Sequence, residues 1–378
     1  MERYKVWLVA KGYIQQEGID FLDTFSPVAK LTFVRILRVV VATRNWFLHQ
    51  LDVDNAFLHG DLKDDVYMEV PLGLDTNIKG QKTPTDFTAL LVYVDDIVLA
   101  GNSIDEITHI KDLLHRQFQI KDLEELKYFL GFEVARSKKG IHLHKRKYAL
   151  DILEETGMMG SKPCSTPFLS NTHSLYKMEK YMENPSAYRR LIGKLFYLTN
   201  TRPDLCFTVN LISQFMQEST DYHYQALQHI LRYVKSSPSE GLFFAANSDI
   251  QIKGFNDSNW ATCPNTRRST TGYCVFLGSS LWLHYLLEDL QIQPTTVVLY
   301  YDNNSAKHIT HNQSFHERTK HIDLDFHVVR EKIQAKFLYL LPIRSEEQLT
   351  DVITKFPHRT RFKSIVPKLG LVNTHHPA

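Results

Sequence analysis

Three aspartates in the first part of the chain have the types and positions that phosphoryl-transfer chemistry asks for. Asp52 ends the apolar run WFLHQLDV, and Asp95 and Asp96 sit side by side between the two β-branched, apolar runs of LLVYVDDIVLAG. Two-metal catalysis needs hard oxygen ligands a few ångströms apart on rigid elements, and acids at the ends of neighbouring strands meet that need. The alternative for Asp95 and Asp96 is ordinary turn chemistry, because Asp is favoured in tight hairpins whatever its function. Two like charges side by side are costly without a cation, which favours the metal reading.

The elements that must position these acids can be read from periodicity. Residues 90–101 predict a buried hairpin with both acids at its tip. SIDEITHIKDLLHRQF follows, with Ser103 and Glu106 spaced as a capping box and Ile107, Ile110, Leu113, Leu114 and Phe118 at helical spacing, so a helix should pack under the hairpin. Residues 161–185, with Pro163, Pro167 and Pro185, read as a linker. Helices are expected near 186–200, 203–217 and 221–236, the first two opened by Pro185 and Pro203 and the third capped by Asp221. From Ile250 the strand-like runs IQIKGF, TGYCVFLG, VVLYYDN and KFLYLLPI alternate with helical stretches near 281–290 and 319–334, an α/β unit. No internal repeat or low-complexity tract is present.

The chain has 378 residues, 43% hydrophobic and 12% aromatic, enough for a sizeable core and two or three domains. Lys and Arg number 44 against 42 Asp and Glu, so a nucleic-acid footprint must be local rather than global. RSKKGIHLHKRK supplies a candidate, with Arg136, Lys138, Lys139, Lys145, Arg146 and Lys147 and no acid among them; the alternative is a solvated hairpin face. Cys164, Cys206, Cys263 and Cys274 show no CxxC spacing, and neither a signal peptide nor an apolar run of membrane-spanning length is evident. Reduced thiols and a cytoplasmic or nuclear location are the expectation.

Four stretches carry a resemblance: YKVWLVAKGYIQQEGIDFLDTFSPVAK, LHQLDVDNAFLHGDLKDDVYMEVP, LLVYVDDIVLAG and FQIKDLEELKYFLGFEVARSKKGIHLHKRKYALDILEETGM. Together they resemble the polymerase of copia-type LTR retrotransposons. The similarity continues through YRRLIGKLFYLTNTRPDLCFTVNLISQFM into a ribonuclease H region and covers essentially the whole chain. It implies an α+β fold: a truncated reverse-transcriptase palm with fingers remnant (1–160), a linker and helical thumb or connection region (161–245), and an incomplete ribonuclease H-like α/β domain (246–378). It also implies that Asp52, Asp95 and Asp96 are the catalytic, metal-binding acids of polymerisation, with Leu130 to Val134 as the segment gripping the primer end. Asp257, Asp302 and Asp351 match the nuclease acids. The implied cofactor is Mg2+, with Mn2+ as a substitute, and the implied partners are an RNA template, a DNA primer and dNTPs, without a membrane; oligomeric state is open.

Read from the residues themselves, Asp302 closes the strand-like run Val297 to Tyr301, where an α/β sheet places a catalytic carboxylate, and Asp257 follows another short run. Asp351 has an alternative as a helix N-terminal acid facing the macrodipole. HERTKH, His316 to His321, places its histidines five apart rather than the four of a helical zinc pair, and Tyr93 and Tyr128 are better explained by core packing than by base stacking.

The chain also departs from the family it resembles. Between Asp52 and Asp95, relatives carry a motif like SLYGLKQAPRQW and the palm helix and strand after it; here PLGLDTNIKGQKTPTD, without apolar periodicity, fills a shorter gap. GYCVFLGSSL runs directly into WLHYLLEDL, where relatives place a strand, a basic connector and a helix bearing a catalytic glutamate; Glu288 and Asp289 fall on the following helix instead. Trp7 replaces the arginine of KARLVAKG, and the finger strands before it are expected to be absent. The resulting expectation is an impaired or inactive reverse transcriptase with ribonuclease H. The alternatives are a non-catalytic nucleic-acid-binding remnant or a pseudogene product without a role.

Overall fold

Val34, Leu37, Val40 and Val41 recur at helical spacing and are all buried, which makes α1 (Leu31–Arg44) the helix that backs the first sheet. The computed structural model describes residues 31–53, 87–93, 95–118, 120–169, 175–176, 181–182, 184–246, 253–259, 269–276, 297–302 and 331–373. The first sheet contains β1 (Phe47–Val53), β2 (Thr88–Tyr93), β3 (Asp96–Gly101) and β4 (Ile120–Glu125), antiparallel throughout in the order β2-β3-β1-β4. The expected hairpin is therefore β2–β3, and α2 (Ile104–Gln117) follows it, capped by the Ser103 hydroxyl, which accepts the Glu106 amide at 3.4 Å.

Strand β3 is buried on both faces, which explains why its apolar run is continuous rather than alternating. Val98 and Ala100 pack into the cluster that contains the α1 residues, while Ile97 and Leu99 join Leu51, Val53, Ile107 and Leu114 on the α2 side. Burying each such Leu or Ile contributes roughly 1.5–3 kcal/mol. Two layers of helix thus hold β1 and β3 rigidly at the centre of the sheet.

The second sheet crosses the regions that the sequence divides. β5 (Tyr128–Phe129), β6 (Phe132–Ser137) and β7 (Gly140–His144) come from the first, β8 (Glu240–Ala245) from the second and β13 (Leu371–Asn373) from the last, in the antiparallel order β13-β8-β7-β6-β5. Beside it lie α3 (Arg146–Glu155), α4 (Ser186–Thr199), α5 (Cys206–Ser213) and α6 (Asp221–Ser236), whose Ile152, Ile192, Leu195, Ile212, Leu227 and Ile230 share one core. The cap of α6 is Thr220, not Asp221: its hydroxyl accepts the His223 amide and the His223 ring Nδ1 accepts the Thr220 amide, a reciprocal box that Asp221 is one residue too late to make.

The third sheet has β9 (Lys253–Asn259), β10 (Thr270–Phe276), β11 (Val297–Tyr301) and β12 (Leu338–Pro342) in the order β10-β9-β11-β12. β10 is antiparallel to β9, and β11 is parallel to both its neighbours, as in a mixed α/β sheet. Two short helices, α7 (Asp351–Thr354) and α8 (Arg359–Ile365), pack against the α3–α6 core through Val352, Phe362 and Ile365. The expected helix at 281–290, with Glu288 and Asp289, lies outside the described residues, as do Trp7, residues 71–86 and HERTKH; of the helix expected over 319–334 only 331–334 are described. Cys164, Cys206 and Cys274 form no disulfide, and Cys263 lies outside the described residues. Among the described residues no helix is long and apolar enough to cross a membrane.

Candidate active site

Strand register brings the first three acids together. Asp52 in β1 is the cross-strand partner of Asp96 in β3, and the Val53 amide donates to the Asp95 carbonyl at 2.8 Å. Residues 52 and 96 share a face because direct partners in an antiparallel pair do. Gln50, two residues before Asp52 on that face and itself buried, donates its amide to Asp96 Oδ1 at 2.9 Å. Asp95 is in the turn, with Oδ1 buried and no hydrogen-bond partner. A carboxyl oxygen withdrawn from water without a donor is what a cation would satisfy. The donor chemistry of this trio therefore fits a divalent ion. Among the described residues, though, no group of three or more His, Cys, Asp or Glu side chains is gathered tightly enough to hold a metal as it stands.

The second three acids also converge, by a different route. The parallel β9–β11 register pairs Tyr300 with Phe255, so two residues further along Asp302 stands level with Asp257. Asp351 opens α7 and is completely buried. Each carboxylate is already engaged by the chain. Asp257 Oδ2 accepts the Thr354 hydroxyl at 2.7 Å, and Asp302 Oδ1 accepts the Gln348 amide at 3.3 Å. Lys355 Nζ lies 2.7 Å from Asp351 Oδ1 and 3.7 Å from Asp257 Oδ2, and Arg361 pairs with the other Asp351 oxygen.

Burial pushes the Asp351 carboxyl above its ordinary range, and the nearby Asp257 charge adds to this, against the opposing pull of Lys355 and Arg361. For Lys355, burial works against the charged form, but the hydrogen bond and charge of Asp351, with Asp257 and Asp302, outweigh it and raise its pKa. Sequence reading identified the three acids here and missed Gln348, Thr354, Lys355 and Arg361. One signal was available: Asp351 and Lys355 are four apart, the spacing of a helical ion pair.

The basic stretch divides in two. Arg136, Lys138, Lys139, Arg146 and Lys147 are exposed around the β6–β7 hairpin and the start of α3. Lys145 is only 1% exposed. Its ammonium donates to the Tyr197 carbonyl at 3.0 Å and lies over the Phe132 and Tyr197 rings, so it is an internal tie between the hairpin and α4 and not part of a surface footprint. Nearby, the β5–β6 turn has Leu130 and Gly131 at positive φ, and the Tyr197 hydroxyl donates to the Leu130 carbonyl at 2.9 Å. The segment expected to face a primer end is thus anchored from α4.

The family described as reverse transcriptase (RNA-dependent DNA polymerase) matches residues 1–86 and, separately, 78–170. The break falls in the stretch between Asp52 and Asp95. The chain is 35% identical to the retrovirus-related Pol polyprotein from transposon RE1 of Arabidopsis thaliana, over 98% of its own length and 30% of the relative's. It is 34% identical to that from transposon RE2 of the same plant, over 98% and 31%. It therefore spans less than a third of these relatives. Both alignments run to 448 positions against 378 residues here, so the relatives carry internal segments that this chain lacks. Among solved structures, the foamy viral protease-reverse transcriptase in complex with dsDNA is 11% identical, with a TM-score of 0.48 over 88% of this chain and 74% of that one. Near-complete coverage by the two plant proteins, together with the reverse transcriptase match over the segment holding Asp52, Asp95 and Asp96, makes this chain a member of the copia-type LTR retrotransposon Pol polyprotein family.

Proposed function

We propose that this chain is a retrotransposon-derived RNA-directed DNA polymerase with an attached ribonuclease H region, impaired by internal losses. The observation that carries the reading is the β1–β3 register, which sets Asp52 against Asp96 with Asp95 bonded through its carbonyl to the next residue of β1. In this reading Asp52, Asp95 and Asp96 hold Mg2+, for which Mn2+ can substitute, and the ion supplies charge neutralisation for phosphoryl transfer from a dNTP. The rest falls to the chain. Gln50 holds the Asp96 carboxylate in place, the Leu130–Gly131 turn positions the primer end of an RNA–DNA duplex, and Tyr197 fixes that turn. The shortened interval before Asp95 removes family elements that align these groups, and misplacement by an ångström costs orders of magnitude in rate.

Primer extension on an RNA template with magnesium tests the reading. The wild-type chain should incorporate dNTPs slowly and Asp95→Asn should not; equal incorporation by the two would reject it.

A second reading is a non-catalytic nucleic-acid-binding remnant, and the five exposed cations around β6, β7 and α3 favour it. It calls for strongly salt-dependent duplex binding without magnesium-dependent synthesis.

A further inference from the structure

The acids of the third sheet come with a cation of their own. Lys355 lies one turn after Asp351 and reaches back so that its ammonium contacts Asp351 at 2.7 Å and Asp257 at 3.7 Å. Asp302, level with Asp257 on the next strand, adds to the negative field around it. A divalent ion needs several oxygen lone pairs aimed at one point. Here those of Asp257 are shared between Lys355 and the Thr354 hydroxyl, those of Asp351 between Lys355 and Arg361, and Asp302 accepts from Gln348. As arranged, the group does not fit a metal, because two cations offset most of the charge of its three carboxylates and these oxygens already accept from within the chain.

We propose that Lys355 is a built-in counter-ion of this carboxylate group, occupying the position a divalent cation would take, so that such an ion binds only by displacing it. That this was once a metal position rests on the ribonuclease H reading above; the ion pairs do not. Two physical features make displacement feasible. An ammonium on a four-carbon stem is a compact charge that can swing aside. The Lys355 side chain is also 40% exposed, so its head has water to move into, whereas Asp351 is sealed and stays. Arg361 pairs with the other oxygen of Asp351, which Lys355 does not use. Lys355 is therefore the one of these partners that can yield to a divalent ion, and while it stays the group has little affinity for one.

The test uses the full chain carrying Asp95→Asn, so that ions on the first carboxylate group contribute little and failure of the polymerase reading leaves this result interpretable. Mn2+ binding is followed by the electron paramagnetic resonance signal of the free ion. Lys355→Gln should bind Mn2+ at least about tenfold more tightly, since a unit positive charge is removed from within a few ångströms of a divalent ion. Lys355→Arg should keep the parent's weak binding. A second measurement keeps Lys355 in place: Mg2+ should speed its modification by an amine-reactive reagent, read by peptide mass spectrometry against the exposed Lys363. Equal Mn2+ affinities in the parent and Lys355→Gln would overturn the proposal. If Lys355→Gln does not fold, labelling of Lys355 that is indifferent to Mg2+ overturns it instead.

Discussion

Asp52 stands directly opposite Asp96 across the β1–β3 pair, and the Val53 amide next to it is bonded to the Asp95 carbonyl. Carboxylates in such an arrangement repel one another until a cation joins them. Mg2+ should therefore raise the unfolding midpoint of the wild-type chain, by about 1.4 kcal/mol of stability when the ion is at ten times its Kd. Asp95→Asn should show a clearly smaller rise in calorimetry. An undiminished rise in that variant would mean that the first carboxylate group does not bind the ion.

Lys145 and its exposed neighbours should separate cleanly. Lys145→Met removes a hydrogen bond from a charged donor and a desolvated cation–π interaction, so urea denaturation should show a loss of about 2 kcal/mol or more. The salt dependence of duplex binding should be unchanged. Replacing both Arg146 and Lys147 by alanine should do the reverse, with stability kept and the log–log salt slope reduced by roughly 0.9 for each phosphate no longer neutralised. A reduced slope in Lys145→Met would place that ammonium on the nucleic acid after all.

Glu240 gives a pH dependence of predictable sign. Burial pushes its carboxyl above the ordinary value of 4.5, against the pull of Arg202, with the Asp204 charge adding to the rise. An acid whose pKa is raised by folding holds its proton more tightly in the folded state, so its contribution is full below 4.5 and is lost as pH climbs through the higher folded value. Glu240→Gln mimics the protonated form. Stability measured from pH 4 upward should therefore fall less steeply in the variant than in wild type, and parallel curves would show that Glu240 is not responsible.

The Tyr197 hydroxyl couples the β5–β6 turn to α4. Gly131 has φ +71°, and a Cβ there would lie 2.0 Å from the Tyr197 hydroxyl, which must then leave the Leu130 carbonyl. Gly131→Ala should cost about 1.5–3.5 kcal/mol for the left-handed backbone together with the broken bond. In a Tyr197→Phe background part of that cost has already been taken, so a double-mutant cycle should show coupling of at least about 0.5 kcal/mol. Additive effects would mean that the turn and the helix are independent.

Local pattern carried much of this molecule. Short apolar β-branched runs on either side of Asp95 and Asp96 specify a hairpin, the second of them continuous because its strand is buried on both faces, and Ser103 and the spacing from Ile107 to Phe118 specify the helix beneath it. The family, too, was legible from contiguous motifs. What the sequence could not determine is which distant strands share a sheet: Gly140–His144 pairs with Glu240–Ala245 and, through it, with Leu371–Asn373, across the expected boundaries at 160 and 245. Register between segments a hundred residues apart follows from which apolar faces bury each other, not from any local period. The same reason governs the charges. A lysine reads alike wherever it stands in sequence, and only packing sealed Lys145 under aromatic rings, left Arg146 and Lys147 in water, and set Lys355 among the carboxylates of β9, β11 and α7.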